Sequence, residues 1–125
     1  MSSSAIIGDQ MFTLQHKGNL ATGIKEIVRM PFAGEITFVT AAVTTAPTGS
    51  TAIIDLNKGA TTMYTTQGNR PTIAVSGTSV TAALPDVKTW AAGDTLAIEI
   101  DQKGSSTAGA NLTVCIGYKG NTAVA

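Results

Sequence analysis

A chain of 125 residues with eight basic and eight acidic side chains has a formal net charge of zero, and only 13% of its residues are charged. Binding to nucleic acid normally requires a basic surface, and the sequence contains no basic cluster, so no nucleic-acid partner is expected. No apolar run approaches the roughly 20 residues that a membrane-spanning helix needs, so no membrane partner is expected either.

The charged fraction of 13% is about half the share of about 25% that is usual in soluble domains. Two explanations are compatible with this low fraction. Thr and Ala cover much of the surface, and part of the surface is buried against partner proteins. Thr suits solvent-facing strand positions because its branched Cβ favours extended backbone.

The length predicts a single domain whose core needs no disulfide or structural metal. Cys115 is the only cysteine, which excludes an intrachain disulfide, and its alternating surroundings predict an inert strand residue. The segment Met1–Ala5 lacks the charged and apolar regions of a secretory signal. We therefore expect the protein to be made and folded in a cytoplasm.

Residues 1–22 differ from the rest of the chain because their apolar side chains, among them Phe12, Leu14 and Leu20, follow no clear period. They are predicted to form an irregular N-terminal arm. Two placements are open for this arm: it is an edge strand, or it packs only on a partner.

Residues 23–119 are predicted to form one β-sandwich domain, and residues 120–125 a short C-terminal tail. Alternating segments separated by Gly, Pro, Asn and Asp turns predict strands at residues 24–30, 35–43, 51–57, 61–66, 73–75, 80–84, 95–101 and 111–118. In the second of these, Ile36 and Phe38 are expected on one face and Val39 and Val43 on the other. This change of face predicts a bulge or a strand that is covered on both sides.

About eight short strands at regular spacing are typical of an all-β protein with a single antiparallel β-sandwich. The uneven connections favour a jelly-roll-like sandwich, which has eight strands and varied loops.

Residues that could support catalysis do not form a recognisable constellation. His16, the only histidine, precedes Lys17, Gly18 and Asn19 and is interpreted as an exposed turn residue. Glu99 and Asp101 alternate with isoleucines, so they are interpreted as the solvated face of a strand rather than as a glycosidase pair. The sequence predicts a protein that is not an enzyme, with no catalytic residue and no cofactor.

Oxygen ligands for calcium are available at Asp55, Asn57, Asp94 and Asp101. None of the loops has the ligand density of a dedicated calcium site. Cys115 has no second cysteine with which to build a zinc site. No metal site is therefore predicted.

Trp90 is the only tryptophan; it ends a short strand or loop edge at residues 87–90 and lies beside a turn. We favour the interpretation that it caps one end of the sandwich core. If its ring is instead exposed, Trp90 is a contact residue for a protein neighbour or a platform for a sugar.

Five groups of turn-and-strand motifs resemble a pattern of small virion proteins of tailed bacteriophages. They are Thr45–Ser50, Ile53–Lys58, Asn69–Ile73, Ala91–Leu96 with Ile98–Gln102, and Gly109–Val114. The likeness covers about residues 34–119 and concerns fold rather than activity. Proteins of this family are capsid decoration (cement) proteins or domains of head and tail fibres.

The resemblance implies a jelly-roll-like sandwich, often a homotrimer, on the capsid surface of a virion whose proteins are made in the bacterial cytoplasm. Its expected partners are the major capsid protein and further copies of the chain. Expected contact residues with capsid or sister subunit are Met11, Phe12 and Leu14 of the arm, together with Trp90. The short length favours a decoration protein, and the alternative is a receptor- or glycan-binding module of a tail or head fibre.

Overall fold

The computed structural model describes residues 10–120, which contain ten β-strands and one 3₁₀ turn at Gln67–Asn69. The longer strands are β1 (Gln10–Asn19), β2 (Gly23–Arg29), β3 (Gly34–Ala42), β4 (Ala52–Lys58), β7 (Ser79–Ala82), β9 (Thr95–Gln102) and β10 (Ala110–Gly120). Three strands have two residues each: β5 (Thr61–Thr62), β6 (Thr72–Ile73) and β8 (Thr89–Trp90). Within the described residues, no helix is long and apolar enough to cross a membrane.

The strands form two five-stranded antiparallel sheets. In the first sheet the order is β1-β10-β3-β7, and β8 also pairs with β3. In the second sheet the order is β2-β9-β4-β5, and β6 also pairs with β4. Strands from the start of the chain therefore pair with strands from its end, β1 with β10 and β2 with β9. This nested pairing across two packed sheets is jelly-roll topology, as the sequence predicts.

The core lies between the sheets and follows from strict alternation along the two clearest strands. Leu96, Ile98 and Ile100 of β9 and Val114 and Ile116 of β10 point inward and are at most 2% exposed. Because successive side chains on a strand face opposite sides, the intervening residues form the outer faces of the sheets.

Strand β1 corrects the expectation of an irregular arm for residues 10–19. It is an edge strand of the first sheet, in register with β10 from Gln10 opposite Tyr118 to His16 opposite Leu112. Phe12 and Leu14 point inward with His16, so a polar ring occupies a position where the alternating pattern requires an apolar side chain. Residues 1–9 of the expected arm, and residues 121–125 of the expected tail, lie outside the described residues.

Strand β3 contains the predicted bulge, at the register shift opposite Gly117 and Tyr118. The expected faces were wrong at one residue. Ile36 and Val39 both point into the core, at 1% and 0% exposure, whereas Phe38 points outward and is 36% exposed. The extra residue of the bulge, Thr37, reverses the alternation between them.

Candidate interaction surfaces

The outer face of the first sheet carries no charged side chain between the ends of its strands. We call this surface the uncharged face. Its residues are Met11, Thr13, Gln15, Phe38, Thr40, Ala42, Ser79, Thr81, Thr113, Cys115 and Gly117. Among the described residues, charged side chains lie beyond it, at Lys17 on one side and at Glu35, Lys88 and Lys119 on the other.

The side chains of the uncharged face lie in rows that cross the sheet. Met11 and Phe38 flank Gly117 in one row, and Thr13, Cys115, Thr40 and Thr81 form the next.

At Gly117 a Cβ atom would lie 2.0 Å from the ring of Phe38, so the glycine allows that ring to lie across β10. Met11 is 59% exposed and Phe38 36% exposed, so this end of the face is apolar and accessible.

The outer face of the second sheet is different, because it carries a charged network. Carboxylate oxygens of Asp55, Glu99 and Asp101 lie within 4.8 Å of one another. Arg70 Nη1 lies 2.7 Å from Asp101 Oδ2 and Asn57 Nδ2 donates to Glu99 Oε1 at 2.9 Å.

Asp55 is 4% exposed, and its Oδ1 accepts a hydrogen bond of 2.8 Å from the hydroxyl of Thr62. Each carboxylate thus has a protein partner. Asp94, a fourth residue with calcium-ligand chemistry, lies elsewhere, in the turn before β9, where its Oδ2 accepts from the N–H of Ala91 at 2.8 Å.

Burial raises the pKa of Asp55 above its ordinary value of 3.8, and the charge of Asp101 raises it further, against the lowering effect of the Thr62 hydrogen bond. Between the unfolded and folded pKa values the folded protein binds more protons at Asp55 than the unfolded chain does. The stability contributed by this group therefore falls as the pH rises from about 3.8 through the folded pKa.

We expect Asp55→Asn to raise the free energy of unfolding at pH 7, because the amide keeps the acceptor for Thr62 and offers N–H groups to the neighbouring carboxylates. The gain should vanish near pH 3, where Asp55 is protonated in both states. Urea unfolding between pH 3 and 7 measures this.

The control is Asp86→Asn. The backbone N–H of Thr66 donates to Asp86 Oδ2 at 2.6 Å, and this hydrogen bond lowers the pKa of Asp86. The stability that Asp86 contributes is therefore present above pH 3.8 and is lost as the pH falls through the folded pKa. Asp86→Asn should therefore lower stability at pH 7. If Asp55→Asn and Asp86→Asn changed the free energy of unfolding at pH 7 by the same amount, the opposite pKa shifts of the two carboxyls would be contradicted.

Four aromatic rings, those of Phe12, Phe32, Trp90 and Tyr118, meet at one end of the sandwich. Tyr118 lies centrally, with ring centroids 5.6 Å from Phe12, 6.1 Å from Phe32 and 5.7 Å from Trp90. Trp90 is 3% exposed, and its Nε1 donates to the backbone oxygen of Phe32 at 2.8 Å. This is the core-capping position that the sequence favours.

Next to these rings an apolar groove lies between the edge strands of the two sheets. We call it the edge groove. Its volume is about 400 Å³, and its lining includes Phe12, Leu14, Val28, Met30, Phe32 and Tyr118. Ile27 of β2 also lines it and is 61% exposed. Nothing in the periodicity of residues 1–22 indicates this groove, because it forms only when β1 and β2 close the two sheets.

The expected contact residues fall into two groups. Leu14 and Trp90 are 2% and 3% exposed, so within this subunit their side chains belong to the core. Met11 lies on the uncharged face, and half-buried Phe12 lines the edge groove. A contact through Met11 and Phe12 stays a prediction.

His16 and Cys115 have local roles in the first sheet. His16 Nε2 lies 3.0 Å from the backbone oxygen of Asn19, to which it can donate a hydrogen bond. Cys115 is a free, half-buried thiol in the middle of β10, where it forms part of the uncharged face. Neither residue lies within hydrogen-bond reach of a second group with which it could share catalytic work, among the contacts of the described residues.

The same fold occurs in chains of solved bacteriophage capsid structures. A chain of the capsid of Ralstonia phage GP4 has a TM-score of 0.56 at 14% identity, over 98% of this chain and 90% of that one. A chain of the acidic stable capsid of Helicobacter pylori bacteriophage KHP30 has a TM-score of 0.53 at 14% identity, over 91% and 90%. A chain of the capsid asymmetric unit of cyanophage Pam1 has a TM-score of 0.52 at 17% identity, over 91% of this chain and 84% of that one.

These likenesses confirm the resemblance to phage virion proteins at the level of the fold. The chain is a jelly-roll β-sandwich of the kind that these phage capsids contain. No family model matches the sequence, and no curated protein matches it.

Proposed function

We propose that this chain is a structural virion protein, a capsid decoration (cement) protein that binds the outer surface of a phage head and stabilises it. The observation that carries the proposal is the uncharged face on a jelly roll whose fold is shared with chains of phage capsids. The role is structural and not catalytic, and the protein acts in the virion after synthesis in the bacterial cytoplasm.

The uncharged face has the composition that a permanent contact surface needs. The centres of protein interfaces are depleted of charge and are surrounded by a polar rim, because burying an unpaired charge is costly. Here Met11 and Phe38 supply apolar area, and the threonines supply short side chains that lose little rotamer entropy on burial. Lys17, Glu35 and Lys119 form the charged rim.

The major capsid protein is the proposed partner on this face, and a homotrimer is the proposed assembly. Closed threefold symmetry matches the threefold and quasi-threefold positions of a capsid. Light scattering after size exclusion checks the assembly: we expect the mass of three chains of 12.7 kDa. A monomer that stays monomeric on particles would contradict the trimer and leave the capsid contact to be tested separately.

Co-sedimentation tests the capsid contact. Purified chain is mixed with particles of the phage that encodes it, after removal of any bound copies, and is pelleted through a sucrose cushion. We expect saturable recovery with the particles and a higher temperature of particle disruption when sites are filled. Recovery that equals the blank without particles would refute the proposal.

A glycan-binding role finds no support at Trp90, on which that alternative depended. The indole is buried and hydrogen-bonded to Phe32. A sugar platform needs an exposed aromatic face, and this ring is packed between Phe12 and Tyr118.

A further inference from the structure

A polar pocket lies at the end of the uncharged face beside Lys17. We call it the Lys17 pocket. Its volume is about 410 Å³, and its lining includes Gln15, His16, Lys17, Thr44, Asn111 and Thr113. Gln15 and Thr113 lie opposite each other in the pairing of β1 with β10, so both side chains belong to the outer face of the first sheet. The pocket is therefore continuous with the uncharged face.

Asn111 holds the wall of the pocket in place. Its φ is 60°, a left-handed backbone conformation that residues other than glycine adopt rarely and that asparagine tolerates well. Its Oδ1 accepts a hydrogen bond of 2.8 Å from the N–H of Gly18, and its Nδ2 donates to Thr44 Oγ1 at 2.7 Å. This side chain thus ties the end of β1 and the start of β10 to the segment after β3. Backbone conformations of this kind cluster at functional sites, and these contacts form the pocket before a partner binds.

The groups that line the pocket favour a carboxylate as its ligand. Lys17 supplies an ammonium group, and none of the described residues that line the pocket is Asp, Glu or Arg. The amide of Gln15 and the hydroxyl of Thr113 add uncharged donors, whereas His16 Nε2 is already directed at the backbone oxygen of Asn19. The single charge of the ammonium matches that of a carboxylate, while a phosphate group, with about −1.5 to −2 charges at pH 7, would exceed it.

We propose that the Lys17 pocket receives a carboxylate side chain of the major capsid protein when the uncharged face is covered. The Lys17 ammonium pairs with this carboxylate, and Gln15 and Thr113 donate hydrogen bonds to it. The inference rests on the proposed contact between the uncharged face and the capsid protein, and it adds the chemistry of the partner, an Asp or Glu side chain opposite this end of the face. A charge pair at the rim of an interface fixes the register of the two surfaces.

Co-sedimentation of Lys17 variants with particles tests the ionic contact. We expect Lys17→Met to bind particles about tenfold more weakly than the wild type, which corresponds to about 1.4 kcal/mol. Methionine keeps much of the apolar stem but has no charge, whereas Lys17→Arg keeps the charge and should bind within a few-fold of the wild type. The matched control is Lys103→Met, which removes the charge of an exposed lysine after β9, outside the pocket, and should leave the affinity unchanged.

An acetate titration of the purified chain, followed by NMR, tests the pocket without the capsid. Relative to chloride at the same ionic strength, we expect saturable shifts of the Gln15 side-chain amide and of the backbone amides of Lys17 and Thr113. These shifts should be absent in Lys17→Met. A wild type without such shifts, or shifts that persist in Lys17→Met, would overturn the carboxylate site.

The two experiments separate this inference from the proposed function. If the wild type does not sediment with particles, the proposed function fails and the capsid protein is lost as the source of the carboxylate, while the acetate titration still decides whether the pocket binds one. If the wild type and Lys17→Met bind particles equally well, the decoration role stands and the inference is wrong. If Lys17→Met instead lowers the mass of the purified assembly in light scattering, the carboxylate belongs to a sister copy, which also overturns the inference.

Discussion

Replacing Trp90 with alanine is expected to lower the free energy of unfolding by about 3–5 kcal/mol, the range for truncating a large buried aromatic side chain. The ring is 3% exposed and packs on Phe12 and Tyr118. At Gly34 a Cβ atom would lie 2.4 Å from the indole, so the main chain of β3 approaches the ring closely. Removing the ring also deprives the backbone oxygen of Phe32 of its donor.

Trp90→Phe is the matched control for this prediction. Phenylalanine keeps much of the apolar contact but cannot donate to Phe32, so the loss should be smaller than for alanine. Guanidinium unfolding followed by circular dichroism measures both variants. An unfolding midpoint of Trp90→Ala equal to that of the wild type would show that the indole lies outside the core and would restore it as a contact residue.

Thr40→Glu is expected to weaken particle binding by about 30-fold or more, which corresponds to about 2 kcal/mol at the centre of an interface. Thr40 lies in the middle of the uncharged face, between Cys115 on β10 and Thr81 on β7. A carboxylate placed there would be buried without a partner once the face is covered. Co-sedimentation at a series of concentrations gives the binding constants.

Two controls separate this effect from misfolding and from charge in general. Glutamine has nearly the same size as glutamate but no charge, so Thr40→Gln should bind particles with an affinity within a few-fold of that of the wild type. Thr61→Glu adds the same charge on β5 of the second sheet, at an exposed position, and should bind normally. If Thr40→Glu binds as well as Thr40→Gln, the uncharged face is not the contact surface.

The sequence predicts best where alternation is unbroken. In β9 and β10 large apolar residues recur at every second position, from Leu96 to Ile100 and from Leu112 to Tyr118, and both strands match the expected strands closely. β1 was harder to predict because His16 occupies an inward position. The face of Phe38 was predicted wrongly because the bulge at Thr37 shifts the alternation by one residue, and that shift depends on pairing with β10.

The surfaces depend even more on contacts between distant parts of the chain. The low fraction of charged residues predicts that part of the surface is poor in charge, but it does not predict which part. The uncharged face arises because β1, β3, β7 and β10 become neighbours in one sheet.

The charged network has the same origin, since Asp55 meets Glu99 through the pairing of β4 with β9. The sequence groups Asp94 with Asp55, Asn57 and Asp101 only by the chemistry of their oxygen atoms. Its place in a turn separates it from them.

Cryo-electron microscopy of particles saturated with the purified chain tests the central proposal most directly. We expect a jelly roll on the outer surface of the head, with the uncharged face of β1, β10, β3 and β7 covered by capsid protein or by a sister subunit. A map without such density on the outer surface, from particles incubated at saturating concentration, would contradict the assignment as a decoration protein.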